Sequence, residues 1–218
     1  MRRAVLLAMA ALGLGSLAYG ALRRGGGSPE SLSTLPYYET TDLTPHWSPV
    51  AHRVQPFQLV TQSGTPLRET DLDGRIHVAS FIFTRCPNVC PTLVSRLQRV
   101  QNAARDWPDV RLVSYSVTPA LDTPSVLSAF GRTHHIDAER WWLTTGDRAT
   151  IKRLARESYF ADDARTDAGG PSDALLHTEK LLLVDGARRL RGVYNGSLPF
   201  EIERLLEDIR TLRKEGRS

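Results

Sequence analysis

The chain has 218 residues, 41% of them hydrophobic, which suffices for one ordinary globular domain and a short additional segment. Its net charge of +4 comes from 25 scattered arginines and 3 lysines, with no basic stripe interleaved with aromatics, so nucleic-acid binding finds no support. Two cysteines exclude a disulfide-rich scaffold.

Residues 4–22, "AVLLAMAALGLGSLAYGAL", carry no charge between Arg2-Arg3 and Arg23-Arg24. As a helix this run would span roughly 28 Å, close to the hydrocarbon thickness of a bilayer. Residues 1–24 are therefore read as an uncleaved membrane anchor, or else a signal peptide with Ala18 and Gly20 at its cleavage site. No cysteine follows the run, so lipoprotein-type anchoring is not expected. A bacterial inner membrane with the domain facing the periplasm is the simplest setting. Residues 25–50 read as a flexible tether and 51–214 as the domain.

Residues 54–60 and 76–83 look like strands. The turn-rich "TQSGTPLRETDLDG" between them suggests a hairpin, and "IHVASFIF" is apolar enough to be buried on both faces. Leu93, Leu97, Val100 and Ala104 recur at helical spacing, and "VRLVSYSV" is a second central strand. "DTPSVLSAF" starts a helix, with Asp122 or Thr123 as its cap and Pro124 in the first turn. A short strand at 141–143 precedes a helix over 147–159, and 161–174 is small and polar. "HTEKLLLVD" and "RLRGVYN" form two strands joined at Asp185-Gly186, before a final amphipathic helix from Phe200 to Leu212. This order predicts an α/β architecture, a central sheet with helices on both faces.

Cys86 and Cys90 lie in "FTRCPNVCPT", three residues apart, where a buried strand gives way to a helix. The positive end of the helix dipole stabilises thiolate there, so both sulfurs should ionise below the ~8.5 of free cysteine. Three readings compete: a structural disulfide, a redox couple, or part of a metal site. A bridge across so small a loop constrains little of the unfolded chain, which argues against a staple. A metal site needs a third ligand from among six histidines. His46 and His52 lie in the lead-in segment, His77 begins a buried strand, and His134-His135 reads as a solvated pair at a helix end. His177 follows the glycine-containing segment and begins the penultimate strand, an end that in a fold of this order can lie beside the cysteine loop. Two thiolates and one imidazole suit copper in both oxidation states, or zinc with one open position.

Taken together, "FTRCPNVCPT", "SVTPALDTPSVL", "WWLTTGD" and "HTEKLLLVDGARRL" make the chain resemble the Sco/SenC copper chaperones that assist cytochrome c oxidase assembly. The likeness runs from about Phe57 to Ile209. It implies a thioredoxin-like fold with an N-terminal hairpin extension on a membrane anchor, with Cys86, Cys90 and His177 binding one copper ion. It also implies delivery of copper to the dinuclear site of oxidase subunit II, or reduction of that site's cysteines beforehand. Other copper chaperones or thioredoxin-like reductants are implied as further partners. The chain departs from the family's usual acidic residues at Asn88, Thr118 and Leu176, and from its acidic-basic pair at Ala120-Leu121. The alternative is a membrane-tethered thiol-disulfide reductase in which Cys86 and Cys90 are the catalytic redox pair and copper is inessential.

Overall fold

In the computed structural model, which describes residues 35–85, 89–161 and 178–216, the strands are β1 (Gln58–Thr61), β2 (Pro66–Arg68), β3 (Ile76–Ile82), β4 (Val110–Ser116), β5 (Trp141–Thr145), β6 (Lys180–Val184) and β7 (Leu190–Asn195). The helices are α1 (Val89–Ala103), α2 (Pro124–Thr133), α3 (Arg148–Arg153) and α4 (Pro199–Glu215). The described strands form one sheet in the order β2-β1-β5-β4-β3-β6-β7. The central β3/β4 and β4/β5 pairings are parallel, while β1, β2, β6 and β7 add antiparallel ribbons at the two sides. This mixed sheet fits the expected thioredoxin-like arrangement, and β1 with β2 forms the expected hairpin.

All seven residues of β3 are buried. Side chains alternate across the strand, so Ile76, Val78 and Ile82 join Leu93, Leu97, Leu127, Ile202 and Leu205 on the face carrying α1, α2 and α4. Ala79 and Phe81 join Phe57, Tyr115, Ile151, Leu154 and Tyr159 on the other face. On the first face Trp141 Nε1 donates to Ser114 Oγ at 2.8 Å, and Ser80 Oγ is 2.7 Å from the same hydroxyl. The indole N–H and two buried hydroxyls thus satisfy one another between the central strands.

The helix expected over 147–159 is α-helical only to Arg153. Leu154–Ser158 widens to a π turn in which Leu154, Ala155 and Ser158 are buried. Tyr159 follows, its hydroxyl 3.1 Å from His77 Nε2 and 2.8 Å from the Tyr115 hydroxyl. His77 is fully buried, and burial, with the Arg188 charge as a lesser cause, pushes its pKa from 6.5 to about 3. The folded protein therefore keeps His77 neutral, whereas the unfolded chain protonates it below 6.5. Its contribution is fully present above pH 6.5 and is lost as pH falls toward 3, by up to about 5 kcal/mol. His77→Leu should flatten the fall of the urea midpoint between pH 6.5 and 4; slopes identical to wild type would refute this.

The tether expected over 25–50 overlaps packed chain. Leu35 and Tyr37 are buried, and Tyr37 and Tyr38 bridge to His46 and Leu190. Arg191, 3% exposed, donates to the carbonyls of Pro36 at 3.1 Å and Leu35 at 2.9 Å and lies 4.0 Å over the Tyr37 ring. A buried guanidinium needs acceptors; Asp185 and Glu215 pair with it at 3.2 and 3.1 Å and the two carbonyls complete its bonds, so residues 35–38 pack against the sheet's β7 side. The anchor expected at 1–24 and the tether up to residue 34 lie outside the described residues. Among the described residues no helix is long and apolar enough to cross a membrane.

Candidate metal centre

β3 delivers the chain to the cysteine loop. Past Ile82 the ladder continues for one more bond, from Val117 N–H to the Ile82 carbonyl at 2.9 Å. Thr84 is then held by Asp122, whose carboxylate accepts from the Thr84 hydroxyl at 2.6 Å and from its backbone N–H at 3.3 Å. The same carboxylate accepts from Ser116 Oγ at 2.6 Å and Thr118 Oγ1 at 3.0 Å. Asp122 is 0% exposed. Of the two expected caps of α2, Thr123 does the capping, its hydroxyl accepting from Val126 N–H. That leaves Asp122 for the loop.

Cys86 and His177 lie outside the described residues. Cys90 falls in the first turn of α1, as its position before the helical repeat implied, and its side chain is likewise outside what is described. The flanking chain is well placed. β6 runs antiparallel to β3 with Val78 opposite Leu183 and Ala79 opposite Leu182. Beyond that pair β3 runs on to Ile82 while β6 comes in from Lys180, so the exit of β3 and the entry of β6 lie at the same end of the sheet. The strand expected to begin at His177 begins at Lys180, whose N–H is taken by Thr178 Oγ1 at 3.1 Å.

The other histidines have structural partners. His46 pairs through its backbone with Tyr37, and His52 Nε2 lies 3.0 Å from the Ser158 carbonyl with its ring 4.5 Å from Phe160. The expected solvated pair divides: His135 is exposed, while His134 is half-buried against Phe130, with ring centroids 4.3 Å apart. Among the described residues no group of three or more His, Cys, Asp or Glu could hold a metal ion. A cleft of about 520 Å³ opens between the 117–121 loop and residues 146–148. Leu121 is 49% exposed at its rim. No local pattern in the sequence points to the cluster of Thr84, Ser116, Thr118 and Asp122. Two of the quoted motifs contain them, but a carboxylate reaching a hydroxyl 38 residues away leaves no local pattern.

Comparison with known proteins bears on this geometry. The family model described as SCO1/SenC matches residues 47–214. A SCO1/SenC family lipoprotein from Bacillus anthracis is 29% identical and superposes with a TM-score of 0.65 over 76% of this chain and 98% of that one. BsSco, a member of the Sco family of cytochrome c oxidase assembly proteins in which a disulfide switch was identified, is 25% identical, with a TM-score of 0.63 over 76% and 95%. The copper-bound ScoI of Bradyrhizobium japonicum is 26% identical, with a TM-score of 0.56 over 72% and 99%. The family match spans well over half the chain, on the fold that these relatives share, and the chain therefore belongs to the SCO1/SenC family.

Proposed function

We propose that the protein is a copper metallochaperone in which Cys86, Cys90 and His177 hold one copper ion for the dinuclear site of cytochrome c oxidase subunit II. The observation that supports this reading is that β3, which ends four residues before Cys86, and β6, which begins three residues after His177, run antiparallel, so their ends toward these residues lie on the same side of the sheet. A copper-bound structure within the same family supports the choice of metal. Two thiolates and an imidazole form a low-coordinate site that accepts Cu(I), and water or another oxygen can complete it for Cu(II). In this reading residues 1–24 tether the domain to a bacterial inner membrane on the periplasmic side, and a relative that is a lipoprotein supports membrane association.

The test is copper titration of the detergent-purified full chain under anaerobic conditions. Reduced protein should take up one equivalent. Oxidised protein, with Cys86 joined to Cys90, should take up none, because a disulfide cannot act as two thiolate ligands. Metal-free oxidised protein should melt only several degrees above the reduced form, since closing so short a loop is worth about 2 kcal/mol. Uptake by the oxidised protein equal to that of the reduced would remove the cysteines from the site, and a large loss of stability on reduction would restore the structural staple. The disulfide switch of BsSco favours a second reading, a thiol-disulfide reductase acting on the same oxidase site through Cys86 and Cys90.

A further inference from the structure

We propose that Asp122 is a positioning residue for the copper site, fixing the start of the cysteine loop through Thr84; this rests on the chaperone reading. The carboxylate has no solvent exposure and would be costly to bury unless its lone pairs were filled. Four donors fill them, from two stretches of chain. Ser116 is the last residue of β4, Thr118 belongs to the following loop, and Thr84 supplies both its hydroxyl and its backbone N–H. Two bonds to one residue fix both the side chain and the backbone of Thr84. Cys86 is two residues on, at most about 7 Å of extended chain.

Asp122 is not occupied elsewhere. Thr123 caps α2, and no arginine, lysine or histidine is hydrogen-bonded to the carboxylate among the contacts the structure shows. Its contacts run instead from the end of β4 to the residue that opens the cysteine loop. Groups that hold metal ligands in place typically alter metal affinity by ~10–100-fold when removed. A merely structural brace would act through stability alone, and its Ser116 and Thr118 bonds would then matter as much as its Thr84 bonds.

The experiment compares T84V, D122N, S116A and T118V in the full chain. Three quantities are read: melting temperature, the rate at which the reduced, metal-free thiols react with Ellman's reagent, and the affinity for copper alone. T84V and D122N should change the thiol rate several-fold and weaken copper by ~10-fold or more. They should also alter the thiolate-to-Cu(II) charge-transfer band. S116A and T118V should lower the melting temperature while leaving thiol rate, affinity and band as in wild type. If D122N does not fold, T84V, which keeps the shape of threonine, decides alone. The proposal is overturned if T84V leaves the thiol rate unchanged. It is equally overturned if S116A shifts thiol rate and copper as far as T84V does for the same loss of melting temperature, or if the thiol rate shifts in T84V while copper binding does not. Wild type that takes up no copper removes the chaperone reading instead, and the thiol rates still decide whether Asp122 holds the loop.

Discussion

Full-length protein carrying Cys86→Ser or Cys90→Ser is expected to lose copper binding. A soft ion takes most of its affinity from thiolate, and a serine hydroxyl neither ionises at neutral pH nor offers a polarisable donor. Losing one of two thiolates should weaken Cu(I) by at least ~1000-fold, or about 4 kcal/mol. The fold should survive, because the loop follows β3 and the core of the α1 face is built from residues such as Leu93, Leu97 and Val100. Titration with a chromogenic Cu(I) competitor reads the affinity and circular dichroism reads the fold. One full equivalent of copper retained in the double serine variant would end the metal-site assignment.

The second large effect separates copper transfer from thiol reduction. His177→Ala should weaken Cu(II) far more than Cu(I), because imidazole matters most to the harder ion while two thiolates can hold Cu(I) alone. A loss of ~100-fold or more for Cu(II), about 3 kcal/mol, beside less than ~10-fold for Cu(I) is the expected pattern. The thiol reduction potential should barely move, since the helix start and the turn set it. Cells carrying this substitution should assemble oxidase poorly at limiting copper and recover partly when copper is added. A reductase predicts the reverse: a silent His177→Ala, and a complete defect from either cysteine change that copper does not relieve. Normal oxidase activity in the His177→Ala strain at limiting copper would favour the reductase.

Much of the local structure was legible because local patterns carry it. The unbroken apolar run of β3, the helical repeat of α1 and the amphipathic stripe of α4 each come from side chains a few residues apart; the structure keeps β3 and α4 within three residues of their expected bounds and places the repeat inside α1 almost to its last turn. The cysteine motif was equally visible, as two thiols placed where a strand meets a helix. The sequence by itself therefore determined the class of fold, the position of the cysteine loop in it and the family likeness.

Tertiary structure decided what depends on distant partners. The antiparallel docking of β6 on β3 sets Leu183 beside Val78, more than a hundred residues away in the chain, and so brings two loops to one end of the sheet. The burial of Arg191 draws Leu35 and Pro36 into a domain from which composition had separated them. His77 is neutral because the fold encloses it, not because of its neighbours in the chain. Asp122 and Thr123 are both candidate caps by sequence, because Asp-Thr-Pro is a capping pattern; the fold gives the cap to Thr123 and turns the carboxylate toward Thr84. Hydrogen-bond donors gather around a buried charge to offset its lost hydration, and which donors can do so is known only once the strands have been brought together.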